Sequence, residues 1–521
     1  MPEQPVTGAV SLMNTLAAAG IEVCFANPGT SEMHFVSALG QLPQIRPVLG
    51  LFEGGVAGMA DGYARISGKP ALTLLHLGTG IGNAIANLHN ARRAHSPVVN
   101  VVGDHATYHK RWDSPLKSDV EAMARPVSDW LRMAGSTQTL SADGAAAVAA
   151  ARSGKGQIAT LVLPADIAWG TTFGHSQPLP VPRCAPPDAA VLRHVAAVLM
   201  EQGPRCALLV RRACGEARGL TALRRICEHT GARPLADMMA AKLLRGRGVY
   251  PVTRVPYRAE MAAAVLKDVQ QLILVGAPPP VAPFAYPHFP SWLPAEGATL
   301  TSVCHEQQDE VEVLEALADL LQAPSALPAL PMPAMPPPPA GALDAAAIGR
   351  VLARHIPEGT VLSEEAISNG PPLLAELAVA APHLHMTNTG GALGQGIPLA
   401  TGAAVAAPEQ KVVNVQADGS GMFTLQALWT QARERLDVLT VILANRSYAV
   451  LRAEVERVGA QVQPALAQGL LDIGNPDLDW VALARGMGVD GVRVATAEAF
   501  EEVLAAALKR RGPYLIEAVM P

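Results

Sequence analysis

Short apolar runs alternate with alanine-rich stretches along most of the chain, and residues that favour turns separate them. Such runs, bounded by turns, are typical of strands buried in a parallel sheet. Strands that alternate with helices predict an α/β fold, built of mainly parallel sheets flanked by helices. The predicted strands lie near residues 22–26, 47–51, 71–76, 97–102, 159–163, 206–210, 272–277, 360–363, 411–415, 438–444 and 514–519.

Two proline-rich stretches interrupt this pattern. Residues 174–188 are polar and rich in proline, and residues 324–341 read PSALPALPMPAMPPPPAG, a composition that excludes a helix or a central strand. We expect both to be linkers, the second running as extended polyproline; a ligand for a proline-recognising domain is the less favoured alternative. The linkers predict three domains, over residues 1–175, 188–323 and 342–521.

Composition narrows the class of protein. Of the 521 residues half are apolar, the net charge is −5, and no basic run is present, so a nucleic-acid partner is not expected. The sequence contains no stretch of about 20 uninterrupted apolar residues, the length needed to span a membrane. The N-terminus has no basic region of the kind found in signal peptides. The six cysteines show no CxxC motif and no metal-binding spacing. We interpret them as free thiols, as in a protein of a reducing compartment. We therefore expect a cytoplasmic protein.

The strongest chemical signal lies in residues 416–448. One apolar strand leads into Asp418-Gly419, and the next apolar strand ends at Asn445. A carboxylate and an amide oxygen at the tips of two buried strands can meet on one hard cation, Mg²⁺ or Ca²⁺. Gly419 allows a phosphate close to the backbone, and the following helix offers free N–H groups to it. The pattern indicates a metal-bound diphosphate; the alternative is an ordinary doubly wound fold with Asp and Asn at strand ends.

A second signal lies far away in the sequence, at Glu53. Its neighbours in LFEGGVAG (51–58) are apolar or glycine. A carboxyl group in such surroundings tends to be protonated, so it can donate a hydrogen bond. The alternative is a carboxylate at a helix N-terminus that faces the helix dipole.

Together these two sites resemble the thiamine-diphosphate (ThDP)-dependent decarboxylase and carboligase family, nearest its benzoylformate decarboxylase and acetolactate synthase large-subunit-like members. The family signature is GDG, a gap in the mid-twenties, and NN; here 24 residues separate Gly419 from Ala444. Ala417 and Ala444 depart from the signature, whereas the two metal-ligand positions, Asp418 and Asn445, match it. Further stretches resemble the family at residues 24–35, 74–104 and 389–406.

The resemblance implies roles for further residues. The third metal ligand would be the backbone carbonyl of Ser447, and Glu53 would bond the N1′ atom of the cofactor's aminopyrimidine. His76 would move protons, and Thr30 would contact the substrate carboxylate. The remaining expected cofactor contacts are Ser368, Asn369, Gly391, Leu393 (beneath the thiazolium), Gly419, Ser420 and Tyr448. Direct contacts are not expected from Asn27, Asn83 and Asn87. No histidine of the middle segment aligns with the second catalytic histidine of benzoylformate decarboxylase; His288 is merely close.

The resemblance also implies the domain roles and the reaction. The three domains would be pyrimidine-binding, central and diphosphate-binding, with each cofactor held between two subunits of a homodimer or homotetramer. A 2-oxo acid would be decarboxylated through a C2-bound enamine, and then released as an aldehyde or ligated to a second carbonyl. The middle segment has no G-x-G-x-x-G after a strand, so FAD is not expected. The alternative, suggested by Ala417 and Ala444, is a non-catalytic or regulatory ThDP-binding paralogue.

Overall fold

The N-terminal segment forms a parallel six-stranded sheet. The computed structural model describes residues 4–287, 289–305, 307–460 and 464–521, so His288 lies outside the described residues. The elements are β1 (Pro5–Thr7), α1 (Gly8–Ala18), β2 (Val23–Asn27), α2 (Met33–Leu39), β3 (Arg46–Leu49), α3 (Glu53–Ser67), β4 (Ala71–Leu75), α4 (Leu77–Arg93), β5 (Val98–Asp104), α5 (Val120–Ala124), β6 (Trp130–Met133), α6 (Leu140–Ala151), β7 (Ile158–Pro164), α7 (Ala165–Trp169) and β8 (Thr171–Phe173).

The order of the strands in this sheet is β3-β2-β4-β5-β7-β6, and all are parallel. Every residue of β4, β5 and β7 is buried, because helices cover both faces of the sheet. Strands β1 and β8 pair antiparallel and bring the two ends of the segment together.

The middle segment forms a smaller parallel sheet. The elements are α8 (Ala189–Gln202), β9 (Cys206–Val210), α9 (Ala217–Thr230), β10 (Arg233–Ala236), β11 (Lys242–Arg245), β12 (Thr253–Arg254), α10 (Ala259–Leu266), β13 (Gln271–Val275), β14 (Thr299–Cys304) and α11 (Glu310–Leu320). The strand order is β12-β10-β9-β13-β14. Strand β11 leaves this segment and pairs antiparallel with the edge of the C-terminal sheet.

The C-terminal segment forms a seven-stranded sheet that includes β11. The elements are α12 (Ala345–His355), β15 (Val361–Glu365), α13 (Gly370–Glu376), β16 (His383–Thr387), α14 (Gly396–Ala406), β17 (Val412–Ala417), α15 (Asp418–Gly421), α16 (Ala427–Glu434), β18 (Val438–Ala444), α17 (Ala449–Arg457), α18 (Pro464–Leu471), α19 (Trp480–Gly486), β19 (Asp490–Val494), α20 (Ala497–Ala507) and β20 (Tyr514–Val519). The strand order is β11-β16-β15-β17-β18-β20-β19, and all strands except β11 are parallel.

Helices α3 and α14 pack along each other and join the outer segments. A Cβ atom added at Gly58 would lie 2.7 Å from Pro398, and those at Gly62 and Gly402 would collide with the backbone of the facing helix. Small residues therefore allow the two helices to approach closely. One apolar cluster extends through both segments, from Met59 to Val412, so the two outer sheets share a core.

The predicted α/β fold of mainly parallel sheets is confirmed, and all the predicted strands are present. The sequence missed strands with mixed polarity, such as β16 (HLHMT) and the edge strands β6 and β19. The two proline-rich stretches contain no helix, and only an isolated bridge at Ala185. The domain boundaries stay a prediction, because β11 crosses from the middle segment into the C-terminal sheet. Among the described residues, no helix is both long and apolar enough to cross a bilayer.

Candidate active site

Four loops meet at one edge of the C-terminal sheet. Strands β16, β15, β17 and β18 are parallel neighbours, so their carboxyl ends lie side by side. Ligands bind at this edge of open parallel sheets. The segments that follow these strands lie at residues 366–369, 390–393, 418–420 and 445–448. They contain the predicted contacts Ser368, Asn369, Gly391, Leu393, Asp418, Gly419, Ser420, Asn445, Ser447 and Tyr448.

The Asp418 carboxylate faces the loop that contains Asn445. Asp418 is 3% exposed; its Oδ1 accepts the Gly419 N–H at 2.8 Å, and its Oδ2 accepts the Arg446 N–H at 2.7 Å. Burial raises the pKa of Asp418, and the N–H groups of Arg446 and Gly419 oppose that rise. A divalent cation would compensate the buried charge. The structure therefore brings the two predicted metal ligands to one place.

The loop at residues 445–448 has a geometry that leaves one carbonyl free for a metal. Ser447 faces Asp472 in an antiparallel bridge whose hydrogen bonds use the Tyr448 N–H and the Arg446 carbonyl. The Ser447 carbonyl takes no part in that pairing. The Asn445 Oδ1 accepts the Ser447 N–H at 3.1 Å and retains a lone pair. One carboxylate, one amide oxygen and one carbonyl form a donor set suited to Mg²⁺.

Gly419 cannot be replaced by a larger residue without moving Tyr448. A Cβ atom at Gly419 would lie 2.5 Å from the Tyr448 ring. The predicted contacts Gly419 and Tyr448 therefore touch each other. The hydroxyl of Ser420 already accepts a hydrogen bond from Gln416 at 2.6 Å and donates to the Ala417 carbonyl at 3.3 Å, so it is less free than the sequence suggested.

The predicted diphosphate residues Ser368 and Asn369 lie in a 3₁₀ turn directly after β15. Ser368 is exposed and Asn369 is partly exposed, and neither side chain hydrogen-bonds to another described residue. The turn packs against α17, which follows the loop at residues 445–448. Both residues therefore lie beside the candidate metal ligands.

Glu365 hydrogen-bonds to the loop that contains Gly391 and Leu393, and the sequence did not indicate this role. Glu365 accepts the N–H groups of Gly394 at 2.7 Å and Gly396 at 2.5 Å. Burial raises its pKa to about 7. Gly391 has φ +79, which suits glycine, and the Leu393 side chain is 38% exposed at the surface of this chain. Leu393 is thus a large apolar side chain left partly exposed beside the candidate metal site.

The candidate catalytic residues meet at the matching edge of the N-terminal sheet. Glu53 begins α3 after β3, His76 follows β4, and Thr30 follows β2, and these three strands are neighbours. A Cβ atom at Gly80 would lie 3.5 Å from Glu53 Oε1 and 3.4 Å from His76 Cβ, so the two residues flank Gly80. Thr30 is exposed at the start of its turn. The three predicted residues are therefore close together.

Two asparagines position Glu53. Glu53 is buried, and its Oε2 accepts a hydrogen bond from Asn83 Nδ2 at 2.9 Å. Asn87 donates to the Gly54 carbonyl at 2.8 Å. These contacts fix the start of α3, a role that the sequence did not assign to either asparagine.

His76 has a carboxylate partner that the sequence also missed. Its Nδ1 lies 2.9 Å from Glu32 Oε2 and 3.3 Å from Ser31 Oγ. Glu32 is buried, and its Oε2 also accepts the Gly29 N–H at 2.8 Å. A carboxylate on Nδ1 fixes the tautomer, as assigned from this network, and leaves Nε2 for proton transfer. The sequence feature that could have indicated this contact is Glu32, three residues after Gly29.

Backbone strain is concentrated at these loops. Among the described residues, six that are not glycine have positive φ, and three of them flank the site: Leu77 (+50), Ile367 (+53) and Arg446 (+55). Such conformations cost roughly 1–3 kcal/mol each and tend to be found at functional sites. The surrounding hydrogen bonds must therefore stabilise these loops.

Within one chain, Glu53 and the loop that contains Leu393 contact different parts of α4. Asn90 donates to the Ala392 carbonyl at 2.8 Å, so the loop with Leu393 lies at the end of α4. Glu53 contacts Asn83, seven residues earlier on that helix, which corresponds to about 10 Å along its axis.

Comparisons with known proteins agree with this geometry. Sequence profiles of the thiamine pyrophosphate enzyme family match residues 6–124, as the N-terminal TPP binding domain, and residues 374–518, as the C-terminal one. The "Putative acetolactate synthase large subunit IlvX" of Mycobacterium tuberculosis is 47% identical over 517 residues, with 99% of each chain covered. Benzoylformate decarboxylase of Pseudomonas aeruginosa is 29% identical over 532 residues, with 96% of each covered.

A solved structure also shares the fold. The 4-hydroxybenzoylformate decarboxylase of Rhodococcus jostii has a TM-score of 0.86 over 99% of both chains, at 24% identity. The chain therefore belongs to the thiamine pyrophosphate enzyme family. Within that family it is a ThDP-dependent enzyme of the acetolactate synthase and benzoylformate decarboxylase type. The family, the fold class and the enzyme class predicted from the sequence are confirmed.

Proposed function

We propose that the chain holds ThDP and Mg²⁺ at the loops after β15, β17 and β18, and that it decarboxylates a 2-oxo acid. The product is an aldehyde, or the retained fragment is joined to a second carbonyl. The observation that carries this proposal is the hydrogen bond at 2.7 Å between Asp418 Oδ2 and the Arg446 N–H, because it places Asp418 beside Asn445 and Ser447. When bound, the thiazolium ring supplies the electron sink for loss of CO₂.

Residues of the chain would bind ThDP, orient it and move protons around it. Asp418, Asn445 and the Ser447 carbonyl would hold the metal, and Ser368, Asn369 and Gly419 would face the diphosphate. Glu53 would bind the aminopyrimidine, and Asn83 would fix the carboxyl group of Glu53. His76 Nε2 would move a proton at the substrate, since Glu32 occupies Nδ1. Thr30 would contact the substrate carboxylate.

We further propose a homodimer or homotetramer with sites between subunits. Leu393, Phe423 and Leu51 are large apolar residues exposed around the two edges, which is expected where a second copy covers them. The separation of Glu53 from the Leu393 loop within one chain supports the same arrangement. Glu53 of one chain would then complete the site of another.

A flavin is not part of this proposal. In the central sheet, the turn after β9 points the N–H groups of Arg211, Arg212 and Ala213 at Glu310 Oε2, at 3.3, 2.7 and 3.1 Å. Consecutive N–H groups of this kind form an anion-binding concavity. The carboxylate of Glu310 fills it from within the chain.

The non-catalytic alternative has no supporting observation. Ala417 ends β17 and Ala444 ends β18, and neither substitution displaces Asp418 from the loop of Asn445. The comparisons contain nothing in its favour.

The test is release of CO₂ from a panel of 2-oxo acids that includes pyruvate, 2-oxobutyrate and benzoylformate. The purified chain is assayed with ThDP and Mg²⁺, beside Glu53→Gln as the inactive variant. Glu315→Gln, at a partly exposed glutamate paired with Arg218, is the matched control. We expect turnover of at least one acid by the parent and by Glu315→Gln, and its loss in Glu53→Gln. Product analysis then separates aldehyde from acyloin. No CO₂ from any acid by a ThDP-loaded parent would contradict the proposal.

A further inference from the structure

A loop of the C-terminal segment, residues 388–393, is fastened to helix α4 of the N-terminal segment. Asn90, near the end of α4, is 0% exposed. Its Nδ2 donates to the Ala392 carbonyl at 2.8 Å, and its Oδ1 accepts the Ala392 N–H at 3.2 Å. A side-chain amide that bonds both backbone groups of one residue fixes the position and the orientation of that residue. Asn90 therefore sets the place of Ala392, directly before Leu393.

Further contacts hold the same loop against α4. Thr389 Oγ1 donates to the Asn90 carbonyl at 2.7 Å. His89 Nε2 lies 3.1 Å from the Gly390 carbonyl, so this contact assigns the proton to Nε2. A Cβ atom at Gly390 would lie 2.4 Å from Asn90 Oδ1 and 2.6 Å from His89 Cδ2. Even alanine at position 390 would therefore push the loop away from α4.

Helix α4 also positions parts of the candidate active site at its other end. It begins directly after His76, and its Asn83 donates to Glu53 Oε2 at 2.9 Å. The rise of the helix places Asn90 about 10 Å further along than Asn83. One helix thus sets the positions of Glu53, His76 and the loop that contains Leu393.

Other contacts do not replace those of Asn90. Leu393 is 38% exposed, and the exposed Gly391 has its N–H bonded to Asn388 Oδ1, which belongs to the loop itself. The far end of the loop is held independently by Glu365. Without Asn90, the part with Gly391 and Leu393 would therefore be able to shift while the rest of the site stays in place.

We propose that Asn90 is a positioning residue for the bound cofactor. Because it is buried, it does not touch ThDP. Through Ala392 it holds Gly391 and Leu393, the residues expected against the aminopyrimidine and the thiazolium. This role rests on the proposed function, because it concerns how that cofactor is oriented. The metal and diphosphate contacts lie on other loops, so loss of Asn90 should leave most of the binding and impair the orientation of the two rings.

The test compares Asn90→Ala and Gly390→Ala with the parent. Asn90→Ala removes the amide, and Gly390→Ala displaces the loop without removing it, so the second variant decides the matter if the first does not fold. Asn100→Ala is the matched control, because Asn100 is also 0% exposed and bonds Thr73 at 2.7 Å and Thr160 at 3.0 Å within the N-terminal sheet. Urea unfolding verifies that each variant is folded.

Three quantities are measured. They are amide hydrogen exchange of residues 388–395 in the cofactor-free chain by mass spectrometry, ThDP affinity with Mg²⁺ by calorimetry, and exchange at C2 of bound ThDP by NMR. We expect both loop variants to exchange these amides at least about tenfold faster than the parent, and to bind ThDP within about tenfold of its affinity. Their C2 exchange should be slower by about 10- to 100-fold. Asn100→Ala should match the parent in all three quantities, although it also loses stability.

Amide exchange and C2 exchange like those of the parent in both folded variants would overturn this role for Asn90, as would faster amide exchange with unchanged C2 exchange. Equally slow C2 exchange in Asn100→Ala would assign the effect to general destabilisation, and so would also overturn it. A parent that binds no ThDP contradicts the proposed function and with it the positioning role. Amide exchange in the cofactor-free chain then still shows whether Asn90 holds the loop, so the two failures are distinguishable.

Discussion

Asp61 is a buried carboxylate that joins the N- and C-terminal segments, and we expect Asp61→Asn to lower stability strongly. Its two oxygens accept hydrogen bonds from Arg65 Nε at 2.8 Å, Arg65 Nη2 at 2.6 Å, Ser96 Oγ at 2.5 Å and Gln395 Nε2 at 2.6 Å. The side chains of Asp61 and Arg65 are 0% and 2% exposed.

Asparagine has one acceptor oxygen and adds an NH₂ group that must face a donor of Arg65 or Gln395. Arg65 would keep its bonds to the carbonyls of Thr387 and Ala241, but its buried charge would lose its counter-ion. Removing one partner of a buried ion pair costs about 3–5 kcal/mol. Loss of two charge-assisted hydrogen bonds, at roughly 1.5–3 kcal/mol each, gives a similar range.

Urea unfolding followed by circular dichroism measures the effect. With a slope of about 3 kcal/mol per M, the expected loss lowers the midpoint of the transition that reports these segments by roughly 1 M or more. The matched control is Glu315→Gln, which breaks the exposed Arg218–Glu315 pair and should cost no more than about 1 kcal/mol. Equal midpoint shifts for the two variants would refute the assignment of Asp61 as a buried junction.

Three further predictions concern the metal, the assembly and pH. Asp418→Ala should lose ThDP binding at ordinary Mg²⁺ concentrations, because the charged ligand is gone; unchanged affinity by calorimetry would contradict the metal site. Glu53→Gln and Asp418→Ala chains, each inactive alone, should recover partial activity when the two are co-expressed with each other. The active parent is the reference, and no recovery in demonstrated mixed dimers would mean that one chain builds each site. Burial lowers the pKa of His385 to about 4, so the unfolded chain binds a proton between about pH 6.5 and 4 that the folded chain does not, and folding stability should fall by about 2 kcal/mol from pH 6.5 to pH 5. His385→Gln should lose that part of the pH dependence in urea unfolding; an unchanged pH profile would show that His385 is not its source.

The sequence predicted the fold because its central strands are continuous apolar runs, such as residues 438–444. It missed β16, whose buried His383 and His385 give the strand a polar pattern that periodicity cannot interpret. Burial of those histidines depends on contacts with β11 from the middle segment, which local pattern does not contain.

The candidate site was predictable where a motif fixes the chemistry, as for Asp418 and Asn445. Its supporting residues were not, because their function depends on which loops become neighbours. Glu365 holds the loop of Gly394 across the sheet edge, and Glu32 reaches His76 from a turn 44 residues away. Neither contact follows from spacing in the sequence.

The most direct measurement of the central claim is hydrogen–deuterium exchange at C2 of ThDP bound to the chain with Mg²⁺, followed by NMR. It needs no knowledge of the 2-oxo acid, and it tests Glu53 and the metal loop together. We predict fast exchange in the parent and in Glu315→Gln, with ThDP still bound but exchange slower by about 10²–10⁴-fold in Glu53→Gln, as for loss of a general acid–base partner. Exchange in Glu53→Gln as fast as in the parent, or a parent that binds no ThDP, would contradict the account.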